Sequence, residues 1–304
     1  MKLYAPEYYK NFVCIADKCD HSCCIGWEID IDDKALDKYG SSPHEYAKSI
    51  LSSIDMEDTP HFRLCEGERC PHLDERGLCK IILNLGEDHL CHICREHPRF
   101  YNDTCHGREV GIGMACEEAC RIILNSADYG VFEEIGEVCG EAKKIDFDAG
   151  ICRKRLYDIL SDGSLTYRQK LNKIYTEYGV SPCIIDDEEW KQIISSLEYL
   201  DDSHKSLFCE YSSRLYDINE NGIYLERALA YFIFRHCTEA QDEEEFRISL
   251  GFCLFCERLL ASVIEFSNAN SLKDIISLAR IISEEIEYSE DNTEEIMFQY
   301  RQII

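Results

Sequence analysis

Four cysteines fall within residues 13–32, VCIADKCDHSCCIGWEIDID, as Cys14-x4-Cys19-x3-Cys23-Cys24. Further pairs follow as Cys70-x8-Cys79, Cys91-x2-Cys94 and Cys116-x3-Cys120. Thiols in such groups can be oxidised to disulfides, hold a metal or cluster, or attack a substrate. The chain carries 19 cysteines, an odd number. Its start, MKLYAPEYYKNF, lacks the apolar stretch that directs export. No run approaches the ~18 to 20 consecutive apolar residues of a membrane span. The expected location is therefore the cytoplasm, with no membrane partner, where thiols stay reduced and point to metal or redox chemistry. Cys14, Cys19, Cys23, Cys24, Cys65, Cys70, Cys79, Cys91, Cys94, Cys105, Cys116 and Cys120 crowd the first 120 residues, beside glycine, proline and charged side chains. Apart from Cys253 and Cys256, the other seven are scattered singly in helical-looking sequence, and most of them fit the role of small buried hydrophobes. The clustered thiols are expected to be ligands.

Soft sulfur donors suit zinc or an iron–sulfur cluster, and spacing alone leaves both open. Cys23 and Cys24 are adjacent, so in an extended chain they point to opposite sides, and one ion would take only one of them. The CxxxCxxC triad of radical enzymes is excluded: after Cys19 and Cys23 it needs cysteine where Gly26 stands, and after Cys116 and Cys120 where Ile123 stands. GxGxxG, Walker, GxSxG and HExxH signatures are absent. A cysteine nucleophile could be paired with His97, but among so many thiols the pairing has little specificity.

These residues need elements to position them. The 304-residue chain is 45% hydrophobic and 11% aromatic, enough to bury a core without staples. Its formal charge of -27 repels phosphate backbones, so no nucleic-acid partner is expected. The fold class expected is mainly α: residues 1–125 form a cysteine-rich module with short strands, packed on a helical bundle of residues 126–304. In the first part, Trp27, Ile29 and Ile31 alternate with Glu28, Asp30 and Asp32, the pattern of a half-buried strand. A helix capped by Asp32 or Asp33 then runs to Gly40. Turns are expected at Glu66-Gly67 and Arg76-Gly77, and a helix starts at the last cysteine pair, in EEACRIILNSA. In the second part, Thr166 and Gln169 form a capping box for a helix that closes at Gly179. DDEEWKQIISSLEYL puts acids in a first helical turn. NGIYLERALAYFIFRHC and FRISLGFCLFCERLLASVIEF are apolar nearly all round and should be central helices. Leu272, Ile275, Ala279 and Ile282 form one stripe of an amphipathic helix.

LYAPEYYKNFVCIADKCDHSCCIGWEIDID, CPHLDERGLCKIILNLGEDHLCHICREHPRF and CEEACRIIL resemble the flagellin lysine-N-methylase family. The middle segment also resembles a wider group of zinc- or iron-chelating cysteine-cluster proteins. The likeness is dense over residues 3–125 and thinner at YFIFRH. It implies transfer of methyl groups from S-adenosylmethionine to lysines of flagellin, with an iron–sulfur cluster of 4Fe–4S type in the cysteine module and zinc as the alternative. The thiols that match are Cys14, Cys19, Cys23, Cys24, Cys70, Cys79, Cys91, Cys94, Cys116 and Cys120; Cys65 and Cys105 lie outside the motif.

A methylase needs an apolar or aromatic channel and a neutral lysine amine. Trp27 is the first candidate for a channel wall. In HPRF, Pro98 biases His97 toward an extended backbone, and Arg99 could grip the cofactor carboxylate with two hydrogen bonds. Cofactor-binding roles are therefore expected for Arg99, His97 and Trp27, with support of the cluster as the other role for Arg99 and His97. Arg235 and His236 sit in an apolar helix, where polar groups need partners, in the core or on a ligand. A reading from a different class is a non-catalytic metal-binding or redox-sensing protein whose helical part binds a partner.

Overall fold

The computed structural model describes residues 1–144, 146–215 and 222–304. They divide into two compact units, Val13–Arg99 and Met1–Phe12 together with Phe100–Ile304. The chain is mainly helical, as expected, with thirteen α-helices and a small mixed sheet among the described residues. No described helix is long and apolar enough to cross a membrane.

The core of the larger unit is built on the two helices expected to be central, Gly222–Cys237 and Glu243–Ser267. Asn221, which opens the first of these segments in the sequence, lies outside the described residues. The second helix is buried from Ser249 through Ile264, which accounts for its lack of a polar face. Trp190, on the acid-started helix Asp187–Ser196, packs its ring 4.6 Å from that of Phe255. The helix Tyr167–Tyr178 has both arms of the Thr166–Gln169 capping box and ends on Gly179 at φ +63°. Ile275, Ala279 and Ile282 bury the stripe of Leu272–Ile282.

Gly251 shows how tightly this core is closed. A β-carbon there would stand 2.3 Å from the ring of Tyr300, itself fully buried. Gly251→Ala should therefore destabilise the larger unit by about 1 to 3 kcal/mol through overpacking, although alanine is the better helix former. Denaturant unfolding measures this; an unchanged or raised midpoint would mean that Tyr300 yields freely.

The sheet of this unit joins distant parts of the sequence. Its strands lie in the order Arg99–Thr104, Gly107–Ile112, Lys2–Pro6, Phe132–Glu137. Lys2–Pro6 runs parallel to Gly107–Ile112, with Leu3 opposite Arg108, and antiparallel to Phe132–Glu137, with Leu3 opposite Gly136. The helix Glu117–Asn125 buries Ala119, Cys120, Ile122 and Ile123 in the same core as the central helices. The division of the chain thus falls at Val13–Arg99 and not at residue 125. Residues 1–12 and 100–125 carry three of the four strands of the sheet and the apolar helix face that the larger core requires.

The smaller unit holds the helices Asp33–Ser41, Glu45–Ser52, Lys80–Leu85 and His92–Glu96 and a two-stranded antiparallel pair, Ile54–Asp55 with His61–Phe62. Its core includes Ile29, Ile31, Tyr39, Ile50, Ile54, Phe62 and Ile81. Residues 27–32 form no regular strand, a correction to the sequence expectation. The alternation is real, since Ile29 and Ile31 are buried and Glu28 and Asp30 exposed. Yet the segment meets the chain opposite over a single bridge, Asp30 to His61, flanked by Ile31 N to Pro60 O at 2.7 Å and Phe62 N to Ile29 O at 3.1 Å. Pro60 has no amide to extend the ladder. The turns at Gly67 (φ +71°) and Gly77 (φ +79°) fall where expected.

Candidate metal centre

Within Val13–Arg99, three cysteine-bearing segments converge. Gly26, at φ +94°, turns the first so that its amide bonds to Glu68 O at 3.1 Å, and the Cys70 amide bonds to Cys24 O at 2.8 Å. The second segment doubles back through a bridge between Leu73 and Cys79. Cys79 then stands at the N-terminus of Lys80–Leu85, where the amides of Ile81 and Ile82 point at its sulfur. The third begins at Cys91, N-terminal to His92–Glu96, with the Cys94 amide directed at the Cys91 sulfur. Asp32 ties the first and third segments together. Its Oδ1 accepts from Ala35 N at 3.1 Å and its Oδ2 from His92 N at 2.6 Å, so one carboxylate caps two helices.

Six thiols, Cys23, Cys24, Cys70, Cys79, Cys91 and Cys94, act on one another electrostatically, although among the described residues no three of their sulfurs lie within 4.8 Å of one another. Cys23 and Cys24 share a hydrogen bond, which holds the Cys23 thiol below its ordinary pKa and drives that of Cys24 up. Cys91 and Cys94 form a second such pair, with Cys91 lowered and Cys94 raised. Burial pushes Cys70 up to about 11 and raises Cys79 as well. Every further thiolate in the group meets burial and the charge of its neighbours, and a cation among the sulfurs reverses both penalties. An all-sulfur donor set of this kind fits zinc or an iron–sulfur cluster. His72, buried beside Cys70, is no donor here: Tyr46 Oη holds its Nδ1 and Ser53 Oγ its Nε2, each at 2.9 Å.

Of the other cysteines expected to be ligands, Cys14 is exposed and Cys19 half-buried on the N-terminal stretch of the same unit. Cys116 and Cys120 lie in the larger unit. Cys116 stands before the helix Glu117–Asn125, and the Cys120 thiol is buried 3.6 Å from Ile276 O. Two of the expected cofactor-binding residues meet beside Cys23. Trp27 Nε1 donates to Cys23 O at 2.8 Å, and its ring stands edge-on to His97, with centroids 5.7 Å apart. Arg99 turns back along the chain, with Nη1 donating to Arg95 O at 3.3 Å.

Comparison with curated proteins finds relatives in Salmonella. Flagellar biosynthetic protein FliU of Salmonella muenchen is 28% identical over 134 residues, 40% of this chain and 77% of that protein. Lysine-N-methylases of Salmonella choleraesuis and Salmonella typhimurium are each 28% identical over 140 residues, 42% of this chain. Over that stretch the chain is similar to the lysine-N-methylases. The match spans 34% of the length of those methylases. Neither a family model nor a solved structure matches the chain.

The larger unit also has a buried polar nest, around Arg235 and His236. Both meet Glu287: His236 Nε2 lies 2.7 Å from Glu287 Oε1, and Arg235 Nε 3.5 Å from the same oxygen. Arg235 also donates to Tyr231 Oη at 3.1 Å and lies over the rings of Tyr288 and Phe100, at 4.4 and 5.1 Å. Glu287 ends a π-helical turn, Ser283–Glu287, that follows Leu272–Ile282. The sequence carries no local sign of this carboxylate's role, since it stands in an acidic run, SEEIEYSE, that looks solvated.

The nest has a pH signature. Burial drives the pKa of His236 below the ordinary 6.5, against the pull of Glu287. The unfolded chain then takes up a proton near 6.5 that the folded chain refuses. The stability from neutral His236 is thus present above that pH and is lost as pH falls, by up to ~1.4 kcal/mol per unit. Denaturant unfolding at about pH 7 and pH 5 should show a steeper loss for the natural chain than for His236→Gln. Equal slopes would place the titration elsewhere.

Proposed function

We propose that the protein transfers methyl groups from S-adenosylmethionine to lysine side chains of flagellin in the cytoplasm, with an iron–sulfur centre of 4Fe–4S type in the Val13–Arg99 unit. The observation that carries this is the match to the lysine-N-methylases. The flagellar substrate draws support from the name of the FliU relative and from the likeness of the cysteine blocks to the flagellin-modifying family. Six thiols coupled to one another support a metal centre, since a zinc ion or a 4Fe–4S cluster each takes four thiolates. Four of Cys23, Cys24, Cys70, Cys79, Cys91 and Cys94 would supply its ligands, with zinc as the alternative metal. When bound, such a centre cross-links three loops and offers one-electron chemistry.

In the transfer, the lysine nitrogen forms a bond to the methyl carbon as the carbon–sulfur bond of the donor breaks. The sulfur leaves as a neutral thioether and the new ammonium loses a proton. The attacking amine must be neutral, whereas free lysine has a pKa near ~10.4. Desolvation lowers that value, and an aromatic wall such as Trp27 beside His97 would provide it.

Protein purified without oxygen should carry iron and acid-labile sulfide. Incubated with S-adenosylmethionine and flagellin, it should add mass to flagellin lysines in steps of one CH₂. Stoichiometric zinc without sulfide would overturn the iron–sulfur assignment. No donor binding and no modified flagellin, from protein shown to hold its metal, would favour a metal-binding or redox-sensing protein without catalysis.

A further inference from the structure

Away from the six thiols, a second set of donors lies wholly within the larger unit. The strands Arg99–Thr104 and Gly107–Ile112 are joined by a two-residue turn, Cys105-His106. Thr104 fixes this turn: its Oγ1 donates to Gly107 O at 3.0 Å and accepts from His106 N at 3.2 Å. Opposite stands Asp148, the residue that caps the helix Ala149–Leu160. One donor atom from each of Cys105, His106 and Asp148 lies within 4.8 Å of the other two. His106 Nε2 and Asp148 Oδ2 are 2.7 Å apart. The three residues line a small pocket that also reaches Glu109, Arg153 and Thr238.

We propose that Cys105, His106 and Asp148 bind a divalent transition-metal ion of the zinc class, at a site separate from the thiols of Val13–Arg99. Sulfur, imidazole nitrogen and carboxylate oxygen are the three donor types zinc accepts, at about 2.0 to 2.3 Å. Around one ion they stand roughly 3 to 4 Å apart, so small side-chain rotations close the observed set. Magnesium and calcium prefer all-oxygen shells, so a site with thiolate and imidazole selects against them. Three protein ligands leave a fourth position for water, toward the pocket.

Two electrostatic objections are answered by the neighbours. Asp148 stands at a helix N-terminus, whose partial positive charge disfavours a cation. Its Oδ1 already accepts from Gly150 N at 3.0 Å, however, which leaves Oδ2 and a full negative charge for the ion. Arg153, on the pocket wall, is buried and doubly bonded to Glu109 at 2.6 and 2.7 Å, so its charge is balanced within the protein. Binding the ion through the Cys105 sulfur would release the thiol proton. The ion would clip the strand turn to the start of the helix.

The test uses the full chain with its thiol centre intact. Zn²⁺ and Co²⁺ are titrated against the natural protein, Cys105→Ser, His106→Asn and Asp148→Asn. The His106 side chain is 67% exposed, and asparagine at 148 keeps the helix cap, so neither change should unfold the protein. The natural protein should bind one ion more than each variant, with affinity lowered roughly 100-fold or more by loss of a ligand. Bound Co²⁺ should show thiolate charge-transfer absorption that Cys105→Ser removes, and iron content should stay unchanged throughout. Equal uptake by all four proteins overturns the site. So does loss in Cys105→Ser alone, which a single thiol would explain, or loss of iron in step with zinc.

Discussion

Replacing Cys94 by serine should strip the metal from the Val13–Arg99 unit and unfold it, leaving the helices of the larger unit in place. Cys94 pairs with Cys91 and interacts electrostatically with Cys24 and Cys70, so it draws on all three converging segments. The apolar core around these thiols is small, and much of the unit is turn and loop. In such a unit the metal–ligand free energy, ~10 kcal/mol or more for a structural zinc site, is folding free energy. Cys79→Ser should do the same. Cys183→Ser, at an exposed thiol, and Cys209→Ser should leave metal content unchanged. Cys120→Ser should also spare the metal: its thiol is buried against Ile276 O, and a hydroxyl there costs only about 1 to 2 kcal/mol in the helical core. Metal analysis with limited proteolysis separates the cases. Equal metal loss from Cys94→Ser and Cys183→Ser would mean that the thiols do not divide as the structure groups them.

Features encoded by neighbouring residues were legible in the sequence. The Thr166–Gln169 box, the stop at Gly179 and the turns at Gly67 and Gly77 all follow from backbone chemistry within a few positions. Asp32 was legible as a helix cap, but its second helix starts 60 residues later, and nothing local records that bond. The strand Phe132–Glu137 was hidden because it is almost wholly exposed, so FEEIGE shows no alternation of apolar side chains. Cys116-x3-Cys120 has the same spacing logic as the other thiols, yet Ala119, Ile122 and Ile123 carry this helix into the larger core. Cys105 was set aside as an extra, because Asp148 comes close only through the fold. Spacing identifies donor types; packing decides which donors meet.

Glu287→Ala should destabilise the larger unit by about 3 to 5 kcal/mol without changing the metal content of Val13–Arg99. Glu287 is 6% exposed, and burial alone would push its carboxyl up; Arg235 and His236 instead hold it below the ordinary value, as a carboxylate. Alanine would leave the Arg235 charge buried against Tyr231, Tyr288 and Phe100, with its carboxylate partner gone. Ring faces contribute ~0.5 to 2 kcal/mol each to a cation, too little to replace a carboxylate in a dry site. Glu287→Gln should cost less, because an amide oxygen can still accept from His236. The double change Arg235→Met with Glu287→Leu should cost less than the two single losses combined, since it removes both charges together. Denaturant unfolding of the natural protein, Arg235→Met, Glu287→Leu and the double variant closes the cycle, and additive losses would show that the pair is not coupled. Methylation by a folded Glu287→Gln protein then tells whether the nest serves only the fold. Activity retained with stability lowered would mark a core device, and activity lost in protein that stays folded would place the substrate lysine or the methyl donor against Arg235 and His236.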